Sequence, residues 1–171
     1  TLLWQISTLN SKIFEDTMSL KASKLIEHNG SIYFSNNKNQ FFSIDLLSGA
    51  LNWIQDINSD LKPAILNNFL FTISLDGYFF VIDKKNGNIL RITDIFNQSK
   101  INKKGNVYPT GFIFNHKELF ITTSNGRLII IEIKTGKIKK ILKIDTNKIS
   151  RPFVKRQHMY VIRDNSIIKL N

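Results

Sequence analysis

Acidic side chains recur at fixed places along the chain, and carboxylates are residues that can bind a hard cation or act in catalysis. Asp45, Asp83 and Glu132 each stand four residues before a glycine. Oxygen ligands of this kind bind Ca²⁺ in cofactor-dependent enzymes. The repetition favours a different role, because acidic side chains at turns accept hydrogen bonds from the local backbone. We therefore predict turn residues here, and no catalytic, cofactor-binding or metal-binding residue.

Three histidines raise a second possibility, the binding of a transition metal, for which several side chains must surround one ion. His28, His116 and His158 each lie near the turn before the second strand of a different repeat, so we expect them in exposed turns. The absence of cysteine excludes disulfides, thiolate metal sites and a cysteine nucleophile. The sequence contains no GxGxxG or P-loop motif, and no serine, histidine and aspartate at an informative spacing.

The elements that hold these residues are repeated. Turn glycines lie 38 and 49 residues apart, and prolines lie 46 and 43 residues apart, at Gly49, Gly87 and Gly136 and at Pro63, Pro109 and Pro152. A period of about 40 to 50 residues is typical of a four-stranded propeller blade. Each proline opens a strand, β-branched and aromatic residues follow, and Asn-Gly or Asp-Gly turns precede the third strand. Helical spacing is not sustained, so the sequence predicts an all-β propeller of four-stranded antiparallel blades.

The repeats predict a single propeller segment, 1–171, with about four blades. Residues 1–8 are predicted to be the outermost strand of a preceding or closing blade, and the blades themselves are assigned to 20–56, 62–96, 107–146 and, as a partial last blade, 150–171. Because a strand pattern is present from Leu2 onward, we expect the chain to begin partway through a larger protein. An open arc would expose apolar strand edges, so we expect either a dimer or pairing with the missing propeller half.

Two tryptophans occupy the outermost strand position of their repeats, since residues 2–6 align with residues 51–55. We expect a structural role in docking between neighbouring blades for Trp4, Trp53, Gly49, Gly87 and Gly136. Leu90 and Lys140 are predicted to replace the tryptophan in later repeats. A second aromatic group partly follows strand alternation, which favours a blade core over a nucleic-acid stacking platform: Phe41, Phe42, Tyr78, Phe79 and Phe80. No nucleic-acid partner is therefore expected.

Positive charge is concentrated in the second part of the chain. Residues 1–99 carry 8 Lys and Arg against 9 Asp and Glu, whereas residues 100–171 carry 16 against 4. Such an excess attracts an acidic partner, nucleic acid or anionic lipid, or it is a solvated face. Four lysines form a possible partner-facing basic surface or guard an outermost strand against edge pairing: Lys137, Lys139, Lys140 and Lys143. The polar segment 95–107 reads as a surface loop, either idle or used in binding.

Two segments carry a family resemblance. The sequence IDLLSGALNW at 44–53 resembles the pyrroloquinoline-quinone-like repeat, and residues 82–87 and 131–136 are weaker copies that lack the tryptophan. Residues 149–154 and 159–170 resemble the closing blade of the BamB-type outer-membrane assembly lipoproteins. The chain is similar to the C-terminal half of these eight-bladed propellers.

The resemblance implies a non-catalytic scaffold without a cofactor. Its implied partner is the outer-membrane assembly machinery, in the periplasm, with membrane association only through a lipid anchor outside this chain. Two alternatives stay open. A segment of a quinone-dependent dehydrogenase would bind quinone and calcium. A basic propeller module for nucleic acid or another anionic partner would lose affinity steeply as salt rises.

Overall fold

The computed structural model describes residues 1–6, 22–36, 39–99 and 107–170, whose strands form four antiparallel sheets in chain order. The first blade contains β1 (Ile26–His28), β2 (Ser31–Ser35), β3 (Phe41–Asp45) and β4 (Leu51–Gln55). The second contains β5 (Ala64–Leu66), β6 (Phe69–Ile73), β7 (Tyr78–Asp83) and β8 (Ile89–Asp94). The third contains β9 (Pro109–Phe114), β10 (Glu118–Thr123), β11 (Arg127–Glu132) and β12 (Ile138–Lys143). The fourth has three strands, β13 (Phe153–Lys155), β14 (His158–Arg163) and β15 (Ser166–Leu170).

The neighbours within each sheet follow chain order, so every blade is a meander of hairpin-connected strands. This arrangement confirms the all-β prediction. The chain divides into two compact units. One consists of Thr1–Ser74 and Phe80–Ile92, and the other of Leu75–Phe79 and Thr93–Asn171.

The turn between the third and fourth strands of a blade has one repeated geometry. The N–H of Gly49 donates to the carbonyl of Asp45 at 3.0 Å, and the N–H of Gly87 donates to the carbonyl of Asp83 at 2.9 Å. Both glycines have positive φ, 73° and 78°. A residue with a Cβ rarely adopts this backbone conformation, which is why glycine stands at this point in each repeat. The outermost strand begins two residues after the glycine.

The core consists of strand residues that alternate toward the blade faces. Phe41, Phe79, Leu119 and Ile121 have no measurable exposure. Phe42 and Phe80 are also buried, whereas Tyr78 is half-buried. Burial of large aromatic and branched side chains on a pleated surface is what stabilises strands of this composition. The predicted aromatic core is therefore confirmed for the four phenylalanines.

A bulge in the outermost strand sets the register of the first and third blades. In the first blade Ser43 pairs with Trp53, and the register shifts before the next pair, Ile44 with Leu51. In the third blade Ile130 pairs with Lys140, and the same shift precedes the next pair, whose β11 member is Ile131. Trp53 and Lys140 are therefore structurally equivalent, as the repeat spacing predicts.

The prediction of a surface loop over 95–107 was wrong at its start. Ile95–Gln98 form a helical turn, α1, with Asp94 as its N-cap, and both Ile95 and Phe96 are buried. The Phe96 ring lies against Gly77, where an added Cβ would come within 2.4 Å. Two apolar residues at the start of a polar stretch anchor the segment. Residues 100–106 of this prediction lie outside the described residues.

The N-terminal strand predicted over 1–8 is not formed in residues 1–6, and residues 7 and 8 lie outside the described part. A strand requires a hydrogen-bonded neighbour, and this segment belongs to none of the four described sheets. Within the described ranges, the only helix is a single turn, and it falls far short of the length needed to cross a membrane.

A buried carboxylate joins the segment that follows the third blade to the fourth blade. Asp145 is 8% exposed, and its Oδ1 accepts hydrogen bonds from the backbone N–H groups of Thr146 at 2.6 Å and Asn147 at 2.8 Å. Its Oδ2 forms an ion pair with Arg163 of β14. The hydrogen bond from Asn147 is the main cause that lowers the pKa of Asp145, with further lowering by Thr146 and Arg163 and opposition from burial.

We predict that this carboxylate makes stability depend on acid pH. A lowered folded-state pKa means that the stabilisation is present above the unfolded-state pKa and lost as pH falls through the folded-state pKa. Asp145→Asn is therefore expected to lower the melting temperature at pH 7, and the difference from wild type is expected to shrink below about pH 4. Melting curves followed by circular dichroism between pH 2 and 8 measure this, with Asp60→Asn, at an exposed carboxylate, as the control. A difference of constant size over that range would contradict the assignment.

Candidate interaction site

The indole of Trp53 fills a slot against the turn of the second blade. Its ring lies so close to Gly87 that an added Cβ there would come within 2.7 Å of Cδ2. The indole Nε1–H donates to the carbonyl of Lys84 at 3.0 Å. On its other side the ring stacks on Phe41, with centroids 6.0 Å apart, and meets Tyr33 at 5.9 Å. The tryptophan is 8% exposed and links the first blade to the second.

Trp4 repeats this geometry at the first blade. Its ring lies against Gly49, where an added Cβ would come within 2.7 Å, and its Nε1–H donates to the carbonyl of Leu46 at 3.1 Å. The structure thus brings Trp4 to Gly49 and Trp53 to Gly87, in contacts of one kind. Trp4 thus makes the contact of an outermost-strand tryptophan, although the N-terminal segment that carries it belongs to none of the described sheets.

Gly136 is contacted by a glutamine. Gln98 of α1 donates from Nε2 to the carbonyl of Gly136 at 3.3 Å, and its Oε1 accepts from the N–H of Ile138 at 3.2 Å. Gln55 makes the corresponding contact at the earlier turn, from Nε2 to the carbonyl of Gly87 at 2.8 Å. Sequence reasoning missed Gln98, because it lies in the segment interpreted as a loop.

Leu90 does not replace the tryptophan in the second blade. Trp53 is the third residue of β4, and the third residue of β8 is Arg91. Leu90 is the second residue and is 53% exposed, whereas Arg91 is half-buried, and this burial lowers its pKa. A count of four residues from the turn glycine, the spacing of Gly49 and Trp53, would have identified Arg91.

An apolar cleft of about 730 Å³ lies between the third and fourth blades. The wall formed by the third blade comes from all four of its strands and includes Phe120, Leu128, Ile130 and Leu142. The opposite wall comes from β13 to β15 and from the residues just before β13, and consists of Arg151, Pro152, Phe153, Val154, Gln157, Met159 and Leu170. The sequence analysis identified none of these as a site.

The carboxylates at the repeated turns bind their own backbone and neighbouring hydroxyls. Asp45 Oδ1 accepts from Ser48 through both its N–H at 2.8 Å and its hydroxyl at 2.7 Å, and the bond from the Ser48 N–H is the main cause that lowers the pKa of Asp45. Asp83 Oδ1 accepts from the N–H of Lys85, and Glu132 accepts from the hydroxyl of Thr135. The predicted hydrogen bonds to the local backbone are confirmed for Asp45 and Asp83, whereas Glu132 accepts from a side-chain hydroxyl of its turn.

The histidines lie in three different blades. His28 ends β1, where its Nδ1 is 3.3 Å from Nζ of Lys84, while His116 precedes β10 and His158 begins β14. Among the described residues, no three His, Asp or Glu side chains are grouped closely enough to hold a metal ion.

The four lysines of the predicted basic surface lie on or next to the outermost strand of the third blade and are exposed. We refer to Lys137, Lys139, Lys140 and Lys143 as the basic edge. Lys139 forms an ion pair with Glu118 at 2.5 Å, and this hydrogen bond is the main cause that raises the pKa of Lys139. Lys140 is exposed at the position that Trp53 fills in the first blade.

The repeat pattern has a counterpart among protein families. The sequence profile of the family described as outer membrane protein assembly factor BamB matches residues 1–93, more than half of the chain. A comparison with curated protein sequences finds no match.

Solved structures share the fold. The crystal structure of BamB from Moraxella catarrhalis matches with a TM-score of 0.68 at 14% identity, over 86% of this chain and 41% of that one. The Cps50 (Swd1) β-propeller domain of Myceliophteria thermophila has a TM-score of 0.62 at 14% identity, over 82% of this chain and 47% of that one. A europium-containing methanol dehydrogenase has a TM-score of 0.56 at 17% identity, over 68% and 23%.

These likenesses confirm the propeller fold, and at such identities they show the fold alone. The chain spans less than half the length of the BamB structure that it matches.

We predict that a side chain at position 87 destabilises the protein, because the Trp53 ring occupies the space that a Cβ would need. Gly87→Ala places a Cβ in a positive-φ backbone and against the Trp53 ring. The backbone term is expected to cost about 1 kcal/mol and the steric term a further 1–3 kcal/mol. Urea unfolding followed by tryptophan fluorescence measures the loss.

Gly30→Ala is the matched control for this prediction. Gly30 has nearly the same φ, 75°, but an added Cβ there meets nothing within 4 Å. Equal losses in the two variants would show that the Trp53 contact adds nothing to the backbone strain.

Proposed function

Because the chain belongs to the family of the outer membrane protein assembly factor BamB, we propose that it is a non-catalytic scaffold for the assembly of outer-membrane β-barrel proteins. The match of the family profile to residues 1–93 carries this proposal. The scaffold acts in the periplasm at the outer membrane, and a lipid anchor outside this chain holds it there. Its partner is a protein of the assembly machinery.

The chemistry of the described residues supports a scaffold. The repeated carboxylates of Asp45, Asp83 and Glu132 hold turns. Trp53 and Gln55 join the first blade to a turn of the second, and Gln98 joins α1 to the turn at Gly136. A binding surface built on rigid elements loses little conformational entropy when the partner arrives.

The fold likeness to a methanol dehydrogenase supports a second candidate, a segment of a quinone-dependent enzyme. That activity requires a carboxylate and a set of oxygen ligands directed at a cofactor. Asp45 Oδ1 and Asp83 Oδ1 are instead directed at the backbone of their own turns. The family match therefore favours the scaffold.

A binding measurement tests the proposed role. The chain is titrated with the purified periplasmic part of the central barrel component of the assembly machinery, and the heat of binding is recorded. A saturable complex is the expected result. The Swd1 β-propeller domain, which shares the fold at 14% identity, serves as the fold-matched control. Absence of a complex, or equal binding by the control, overturns the proposal, and calcium-dependent quinone binding would favour the enzyme.

The basic edge is proposed to face the partner. Exchange of Lys137 and Lys143 to glutamine is expected to slow association with the barrel component about two- to tenfold at low salt and to flatten its salt dependence. Stopped-flow fluorescence at several ionic strengths measures both effects.

The control double variant exchanges Lys24 and Lys62, which are exposed and lie in the near-neutral part of the chain, to glutamine. It removes the same charge from another region. Equal slowing by both double variants would show an effect of net charge alone.

A further inference from the structure

The first and third blades differ at one position of the outermost strand, and the difference leaves a slot open. In the first blade the indole of Trp53 lies over Tyr33 and Phe41. Strand pairing defines the equivalent residues of the third blade. Tyr33 pairs with Ser43, which pairs with Trp53, and in the same way Phe120 pairs with Ile130, which pairs with Lys140.

The next row of the two blades matches as well. Ser35 pairs with Phe41 in the first blade, and Thr122 pairs with Leu128 in the third. Phe120 and Leu128 therefore occupy the positions of the two residues that hold the indole. Both line the apolar cleft of about 730 Å³.

Lys140 does not fill the slot that Trp53 fills. Its side chain is exposed, and Leu142, two residues further on the same strand face, lines the cleft. The volume is within the range of clefts that bind compact ligands, and the lining is mainly apolar. In the first blade of the same chain, the equivalent positions hold an aromatic side chain, the indole of Trp53.

The charge of the cleft indicates which residues of a partner would favourably lie beside a bound aromatic side chain. Arg151 lines the cleft. Lys140, which is exposed, lies on the same face of β12 as the lining residue Leu142. Glu118, the acidic residue of β10, is paired with Lys139. Acidic residues beside the aromatic group would gain Coulomb attraction from Arg151 and Lys140.

We propose that the cleft between the third and fourth blades binds an aromatic side chain, preferably tryptophan, carried on an acidic extended segment of a protein partner. This inference rests on the proposed scaffold role in that the partner is a protein. It adds a specific site and the chemistry of the bound segment.

The probe is an acetylated and amidated tripeptide, aspartate–tryptophan–glutamate. Its binding is followed through the methyl NMR signals of Ile113, Leu128, Ile130 and Leu142, all of which line the cleft. Saturable shifts at these methyls are expected. Replacing tryptophan by leucine in the peptide is expected to weaken binding about tenfold. Lysine in place of both acids is expected to weaken it about three- to tenfold, with less difference at 1 M salt.

Lys140→Trp supplies the indole from within the chain and is expected to abolish the shifts. Lys143→Trp is the matched control, because it makes the same exchange on the same strand but on the opposite face, and it is expected to retain binding. Leu142→Gln, at a half-buried lining position, is a second variant if Lys140→Trp does not fold. Absence of shifts at the cleft methyls, or unchanged shifts in Lys140→Trp or Leu142→Gln, overturns the proposal.

The two proposals fail separately. If the barrel component binds but the tripeptide does not, the aromatic cleft is overturned and the scaffold role stands. If the tripeptide binds in the cleft but the barrel component does not, the cleft is supported and the named partner is overturned.

Discussion

Each blade of this protein is a thin sheet with two faces to bury, and one small contact makes the burial possible. An indole side chain lies against a turn glycine whose missing Cβ leaves the required space. Trp53 on Gly87 and Trp4 on Gly49 are two copies of that contact. The glycine also supplies the positive φ that closes the turn, so one residue type meets a steric and a conformational requirement together.

The same turn determines what the acidic residues do. A carboxylate that accepts two hydrogen bonds from Ser48, as Asp45 does, holds the turn in the geometry that the glycine needs. This carboxylate oxygen is therefore used to hold the turn. Repetition of one motif along the chain spreads these groups over separate blades, whereas a catalytic or metal site requires them at one place. A repeat architecture therefore offers surfaces more readily than reaction centres.

Sequence reasoning worked where the signal is local and repeated. The turn glycines and strand-opening prolines predicted the sheets because each acts on its own backbone. It failed at Arg91, where the apolar character of Leu90 outweighed the constant distance from the glycine. It failed again at Ile95 and Phe96, two buried residues at the start of a polar stretch. The cleft was out of reach, because its walls join residues as distant in sequence as Ile113 and Leu170.

The lysine at position 140 shows how a repeat protein acquires a site without a new fold. The third blade retains apolar residues at the two positions that hold the indole in the first blade, Phe120 and Leu128, while the position of the indole itself is occupied by a solvated cation. The apolar walls are in contact with water, so their burial by an incoming side chain is favourable. Replacement of one docking residue thus converts an internal contact into an available surface, and the positive charge that replaces it favours acidic partners.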